Sequence, residues 1–166
     1  MKIVYVSNSG FTEKYAKMLS DKTGIEAITL AEAQKKIPHG EDIIFMGWLM
    51  AGIIKGLKKA SGIYNIKSVC AVGMCSYDED YAKKTKTDNQ ITTEFFYLQG
   101  GFNINKLHGI YKLMMNVMKK TVVKKLSEKP DQTPMEKEMV EISLNGGDHV
   151  SEENLTPVLS WVKSIA

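Results

Sequence analysis

The sequence has 166 residues and a formal net charge of +3, which suits one globular domain large enough to bury its own core. Its two cysteines, Cys70 and Cys75, are too few for a disulfide framework and lack the spacing of a zinc site. The amino-terminal apolar run ends at Ser7, which is too short for a signal peptide or a membrane span, so we expect a cytoplasmic protein.

Short apolar runs rich in β-branched residues predict five strands. These strands cover residues 2–6, 25–30, 42–47, 68–74 and 92–98. Apolar residues at helical spacing follow the first strand and recur twice between later strands, over residues 12–24, 53–60 and 77–86. The alternation predicts an α/β fold whose parallel sheet has the strand order 2-1-3-4-5 and is covered by helices on both faces.

The chain after the fifth strand departs from this simple alternation. A basic amphipathic helix is predicted over residues 106–127, an irregular segment over 127–150 and a terminal helix over 151–165. Ser151 is a suitable first residue for the last helix, although Thr156 with Pro157 in the first turn is an alternative start. We expect residues 1–166 to form a single domain.

A polar loop separates the first strand from the first helix. It reads Ser7-Asn8-Ser9-Gly10-Phe11-Thr12. Its hydroxyls and the free N–H groups of a helix N-terminus suit a phosphate, although the same residues also make an ordinary polar turn. The sequence has neither G-x-G-x-x-G nor G-x-x-x-x-G-K-S/T at this place, which disfavours a dinucleotide-binding or P-loop site.

This loop resembles the flavodoxin phosphate loop, Ser/Thr-x-Ser/Thr-Gly-x-Thr. The following residues, 13–17, are similar to a flavodoxin-domain family that includes menaquinone-dependent protoporphyrinogen dehydrogenase, as are 47–52, 96–101 and the long basic helix. The resemblance spans nearly the whole chain and implies a flavodoxin-like three-layer sandwich with FMN as cofactor. It also implies redox chemistry, with a quinone or a porphyrinogen-like molecule as a possible partner.

Two further loops should meet the flavin ring, because ligands of open α/β sheets lie beyond the carboxyl ends of the strands. The loop after strand three contributes Trp48, Leu49, Met50, Ala51 and Gly52, and the loop after strand four contributes Cys75, Ser76, Tyr77 and Asp78. Trp48 could stack on the ring or could simply cap the core, and Tyr77 could cover the ring. Cys75 could be near the flavin or could be only a small residue at a crowded strand end.

The segment 104–127 contains six lysines and no acidic residue, so the rest of the chain is net negative. On a helical wheel its apolar residues, among them Met114, Met115 and Met118, lie opposite His108, Lys112 and Lys119. The apolar side could pack on the domain itself or form an adaptable surface for a partner. The lysines could be merely solvated, or could meet an anionic substrate or the inner surface of a membrane through residues 106–126.

Three functions remain compatible with these features. The first is an FMN oxidoreductase with its own substrate and a quinone acceptor, and the second is a flavodoxin-type electron carrier. The third is a binding module that has lost FMN. No nucleic-acid partner and no metal site are expected, since His39, His108 and His149 lie far apart in the sequence.

Overall fold

A computed structural model describes residues 1–107 and 109–165, without the side chains of Lys119 and Val122. On the predicted helical wheel, His108 therefore lies outside the described residues, as do the side chains of Lys119 and of Val122, which belongs to the apolar side of that wheel. The strands are β1 (Lys2–Val6), β2 (Ala27–Thr29), β3 (Asp42–Met50), β4 (Ile53–Ile54), β5 (Asn65–Gly73), β6 (Glu94–Gln99), β7 (Gly101–Phe102) and β8 (Gly147–Asp148). The α-helices are α1 (Phe11–Thr23), α2 (Leu30–Lys36), α3 (Leu57–Ser61), α4 (Glu79–Asp88), α5 (Gly109–Met118), α6 (Lys124–Ser127), α7 (Pro134–Asn145) and α8 (Glu152–Ser164).

The centre of the protein is a parallel sheet of order β2-β1-β3-β5-β6. Each of these five strands overlaps one of the five predicted runs, with bounds that differ by up to three residues at an end. The strand count differs from the prediction, because β4 adds a short antiparallel edge to β3 and because β7 and β8 form a separate two-stranded ribbon. The α/β class and the parallel sheet are confirmed, and the arrangement is consistent with a flavodoxin-like fold.

Helices cover both faces of the sheet and create two separate cores. Side chains alternate between faces along a strand, so Ile3 of β1 lies in one core and the adjacent Val4 in the other. The first core joins the sheet to α1 and α8 through Tyr15 and Leu155, both fully buried. The second joins the sheet, through the fully buried Phe45 of β3, to Ala33 of α2 and Ala60 of α3. This three-layer packing fixes the strand ends from which the candidate site is built.

Two short helices differ from the sequence-based prediction. Helix α2 was not predicted, since its seven residues carry only two buried positions; Thr29 caps it by accepting a hydrogen bond from the N–H of Glu32. The helix predicted over 53–60 is restricted to α3, because Ile53 and Ile54 pair with the end of β3 instead.

The segment after β7 is more helical than predicted. A 3₁₀ turn covers Ile104–Lys106, so the basic helix begins at Gly109 rather than at residue 106, and a π-helical turn over Lys119–Val123 joins α5 to α6. The irregular segment predicted over 127–150 is wrong for residues 134–145, which form α7. A reciprocal capping box of Thr133 and Glu136, with Pro134 in the first turn, starts this helix.

The last helix is confirmed over 152–164. Ser151 is its cap, since the Ser151 hydroxyl accepts a hydrogen bond from the N–H of Asn154 at 3.2 Å, and Pro157 therefore lies inside the helix. Across the described ranges, no helix combines the length and apolar character needed to cross a bilayer.

Candidate functional site

The candidate site lies at the carboxyl ends of β1, β3, β5 and β6. The strand order reverses between β1 and β3, because the chain adds β2 on one side of β1 and β3 on the other. Such a switch point leaves a crevice between the loops that follow the two strands, and ligands of open α/β sheets bind there.

The β1–α1 loop presents a helix N-terminus to this crevice. Gly10 adopts a left-handed backbone with φ +93°, and its N–H donates to the Ser7 hydroxyl at 3.1 Å. The first bond of the helix runs from the Lys14 N–H to the Gly10 carbonyl at 3.0 Å. The N–H groups of the residues between them have no partner within the helix, so the partial positive charge of the helix end is available to an anion.

Asn8 carries an unsatisfied polar atom in the same loop. Its side-chain Nδ2 is buried and has no hydrogen-bond partner among the described residues. Buried donors are nearly always paired, since burial without a partner costs about 1–3 kcal/mol. An acceptor supplied by a ligand would satisfy this group.

A cavity of about 210 Å³ adjoins the loop. It brings together many of the residues predicted from the three loops: Ser9, Phe11, Thr12, Trp48, Leu49, Met50, Ala51 and Cys75. The remaining lining is mostly aromatic residues and methionines: Val72, Gly73, Met74, Tyr81, Tyr97, Gly101, Phe102, Leu107, Tyr111, Met114, Met115, Met118, Met135 and Met139. The predicted residues Ser7, Asn8, Gly10, Gly52, Ser76, Tyr77 and Asp78 do not line it.

Trp48 contacts the helix that covers the cavity. The Trp48 and Tyr111 rings meet edge to face, with centroids 5.1 Å apart, and Lys55 Nζ lies 5.9 Å from the centroid of the Tyr111 ring. Among the described residues, Trp48 belongs to neither of the two sheet cores. The expectation that Trp48 merely caps the core is therefore disfavoured. Trp48, Leu49 and Met50, predicted in the loop after strand three, belong to the end of β3, and α5 forms part of a roof over this strand end.

A hydrogen bond from Asn89 keeps Gly52, in the turn after β3, out of the cavity lining. Ala51 and Gly52 both have positive φ, 51° and 77°, and the Gly52 carbonyl accepts from Asn89 Nδ2 at 2.7 Å. The Asn89 side chain also accepts from the Ile54 N–H at 2.9 Å. Asn89 thus fixes the turn, so that Ala51 lines the cavity and Gly52 does not.

The loop after β5 is arranged differently from the prediction. Of the four residues predicted there, only Cys75 lines the cavity, whereas Tyr77 is 64% exposed and packs edge to face with the Tyr97 ring. Asp78 caps α4 by accepting from the Tyr81 N–H at 2.8 Å. Tyr97 lines the cavity where Tyr77 does not, and the Tyr97 hydroxyl donates to the Cys75 carbonyl at 2.9 Å.

Glu138 of α7 occupies the polar groups of Ser76. Its carboxylate accepts from the Ser76 N–H at 3.0 Å and from the Ser76 hydroxyl at 2.7 Å, and also from Gln99 Nε2 at 2.9 Å. These charge-assisted bonds join α7 to the ends of β5 and β6. Ser76 is one of the residues expected to meet the flavin ring, but its N–H and hydroxyl are engaged by Glu138 here.

The cavity wall favours the neutral forms of Cys75 and Tyr97. Burial, with the nearby Glu138 carboxylate as a smaller contribution, raises the pKa of the Cys75 thiol to about 12. Burial likewise raises the pKa of Tyr97 well above its ordinary value. A thiol with such a pKa is not a nucleophile near neutral pH.

Several lining residues were missed by sequence reasoning. Tyr81 and Tyr97 reach the cavity from α4 and β6, and Met135 and Met139 reach it from α7. The signal for α7 that the sequence does contain is the capping box of Thr133 and Glu136 with Pro134 in the first turn. Within the described residues no cluster of three or more His, Cys, Asp or Glu suits a metal ion.

Comparisons with known proteins add no assignment to this geometry. A scan against protein-family models found no match, and a search of curated proteins found none either.

Proposed function

We propose that this chain is an FMN-binding, flavodoxin-like oxidoreductase related to the flavodoxin-domain family that includes menaquinone-dependent protoporphyrinogen dehydrogenase. The observation that carries the proposal is the junction of two features at the switch point of the sheet: the N-terminus of α1 and an apolar, aromatic cavity. FMN is a ligand with these two parts, a phosphate monoester and a flat apolar ring.

The β1–α1 loop fits the phosphate. It offers hydroxyls from Ser7, Ser9 and Thr12, free N–H groups of the first helical turn and the unpaired Asn8 Nδ2. Gly10 needs its left-handed conformation for this turn, and a side chain at that position would be strained. The donors are neutral, so the loop would hold a phosphate by hydrogen bonds and the helix dipole rather than by a lysine.

The cavity fits the ring part of the cofactor. At about 210 Å³ it is smaller than the roughly 300–1,000 Å³ of sites that enclose a whole small ligand, which agrees with a ring inside and a phosphate at the loop outside. Trp48 and Tyr97 supply aromatic surface, and the methionines of α5 and α7 are flexible enough to adjust to a ring. When bound, the flavin would supply the electron and hydride chemistry, and the chain would exclude water and orient the ring.

The roof formed by α5 and α7 favours an enzyme over a simple carrier. These helices contribute five methionines to the lining, Met114, Met115, Met118, Met135 and Met139. A protein partner docking on this side would meet the helices before the ring, whereas a small quinone- or porphyrinogen-like molecule could share the adaptable apolar space. The electron carrier remains the alternative.

Reconstitution tests the proposal directly. The purified chain should take up one FMN with the flavin absorption bands, and should take up FAD and NAD less well. The FMN-loaded protein should then be reduced by protoporphyrinogen and reoxidised by menaquinone. FMN uptake without either reaction would favour the carrier, and a colourless protein that cannot be reconstituted would contradict the proposal.

The phosphate site can be tested separately with Asn8→Asp. This change replaces the buried donor by an acceptor and adds a negative charge beside the expected phosphate, so FMN affinity should fall by roughly 10-fold or more. Riboflavin, which lacks the phosphate, should bind the variant and the wild type similarly. Asn116→Asp, at an exposed position of α5, is the control for the effect of an added negative charge. Equal FMN affinity in all three proteins would exclude Asn8 from the phosphate site.

A further inference from the structure

Helix α5 has a second apolar face, which points away from the cavity. Ile110, Leu113 and Val117 are 66%, 65% and 55% exposed. Their spacing of three and four residues aligns them on one side of the helix, and we call these three residues the outer stripe. The inner side, with Tyr111 and Met115, lines the cavity. The helix is therefore apolar on two sides, and only one of them is covered by the protein.

The outer stripe is unusual for a surface helix. Single exposed aliphatic side chains are common on proteins, but a row of three on one helix marks a surface that meets an apolar partner. The cavity does not account for it, because none of its three residues belongs to the cavity lining.

The charged residues of the segment that carries the stripe are of one sign. Lys112, Lys120 and Lys125 are exposed, and the whole segment 104–127 contains no acidic residue. Lys124 reaches an acid only beyond the end of α6, at 3.9 Å from Glu128. An apolar row bordered by lysines, on a segment without acidic residues, is the pattern of helices that lie in the interface of an anionic bilayer.

A second copy of the chain is a poorer occupant. A two-fold contact through the outer stripe would bring the same surface of both copies together and would therefore oppose lysines to lysines. An anionic lipid surface instead offers hydrocarbon to the stripe and negative headgroups to the lysines.

We propose that α5 docks the protein on the surface of an anionic lipid bilayer, with Ile110, Leu113 and Val117 at the level of the acyl chains and the lysines at the headgroups. The helix lies flat, because its inner face stays packed on the protein. Docking brings the roof of the cavity against the membrane. This inference is independent of the cofactor.

Vesicle flotation tests this docking. The full chain as purified should float with vesicles of phosphatidylcholine and phosphatidylglycerol at 50 mM salt, and should bind vesicles of phosphatidylcholine alone much more weakly. Raising the salt to 500 mM should release most of the protein, because exposed charges are then screened. No flotation with the anionic vesicles would overturn the proposal.

Two sets of variants separate the stripe from the lysines. Serine at Ile110, Leu113 and Val117 should abolish flotation, whereas Ile53→Ser with Leu144→Ser, two exposed residues outside the stripe, should not. Glutamine at Lys112, Lys120 and Lys125 should weaken binding by roughly 100-fold, at about tenfold or less for each lysine near the surface. Glutamine at the exposed Lys35, Lys58 and Lys59 is the charge-matched control.

Folding and self-association are checked on the same samples. Each variant should keep the circular dichroism spectrum and unfolding midpoint of the wild type. Equal flotation of the stripe variant and its control would overturn the proposal. So would a dimer of the wild type, in analytical ultracentrifugation, that the stripe variant converts to a monomer.

Discussion

Cys75 illustrates how the site sets the chemistry of one residue. Its thiol lies in the cavity wall, where burial and Glu138 raise its pKa to about 12. A cysteine beside a proposed flavin site suggests a reactive thiolate, but this environment favours the neutral thiol. Cys75 therefore acts as a small apolar residue of the wall.

We predict that Cys75 reacts slowly in the folded protein. In a Cys70→Ala background, iodoacetamide at pH 8 should label Cys75 at least 100-fold more slowly than it labels the chain in guanidinium, because the thiolate fraction of a thiol with pKa about 12 is on the order of 10⁻⁴ at this pH. Mass spectrometry of timed samples measures this rate. Labelling of the folded protein at the rate of the unfolded chain would show that the thiol is accessible and ionised.

The same shift has a consequence for stability against pH. The folded pKa of Cys75 is raised, so its contribution to stability is fully present below the ordinary value of 9.0 and is lost as the pH rises toward about 12. The urea midpoint should therefore fall across this window, and Cys75→Ser should make the fall shallower. An identical slope in both proteins would contradict the assigned environment.

A single side chain, Glu138, contributes much to the position of helix α7. The carboxylate of Glu138 is its polar link to the ends of β5 and β6, through Ser76 and Gln99. Its methionines Met135 and Met139 close the cavity on that side. The position of the roof therefore depends on both polar and apolar contacts of α7.

We predict that Glu138→Gln loosens α7 without unfolding the sheet. Loss of the charge weakens hydrogen bonds worth about 1–3 kcal/mol, so amide exchange over residues 134–145 should accelerate by roughly tenfold, while β1 and β3 should stay protected. Glu141→Gln, an exposed acid on the same helix, is the control. Unchanged exchange of α7 in Glu138→Gln would mean that the apolar contacts alone hold the roof.

The elements that were predicted correctly are those with a simple periodic signal. The five parallel strands are continuous apolar runs, and α1 and α8 have clear apolar faces and suitable end residues. Helices α2 and α7 were missed because α2 is short and because Pro134 looks like a loop residue until its capping box is recognised. β4 could not be predicted from the local sequence, since Ile53 and Ile54 form a strand through their pairing with the end of β3.

Part of the candidate site could also be predicted from the sequence, because it follows from the order of the strands. The ends of parallel strands meet at one edge, so Thr12, Trp48 and Cys75 could be placed together from the order of the elements alone. The orientation of Tyr77 and the partner of Ser76 could not, because they depend on α7 and on the distant Glu138. Side-chain pairing between remote elements leaves no local trace in the sequence.

At the scale of the whole molecule, charge and apolar surface are unevenly distributed. Six lysines and the outer stripe of α5 belong to the one segment that also covers the cavity. The remainder of the chain is net negative. The proposed cofactor site and the proposed membrane surface are therefore the two sides of one helix, and a change on one side of α5 need not disturb the other.

The central claim is that FMN binds with its ring in the cavity beside Trp48. The chain has two tryptophans, and Trp161 packs against Phe96 in the core on α8, with ring centroids 6.0 Å apart. Titrating FMN into Trp161→Phe, where Trp48 is the remaining tryptophan, should quench the fluorescence strongly and saturate at one FMN per chain. In Trp48→Phe the quenching of Trp161 should be much weaker. Equal quenching in the two variants, or quenching that does not saturate, would contradict a ring bound at Trp48.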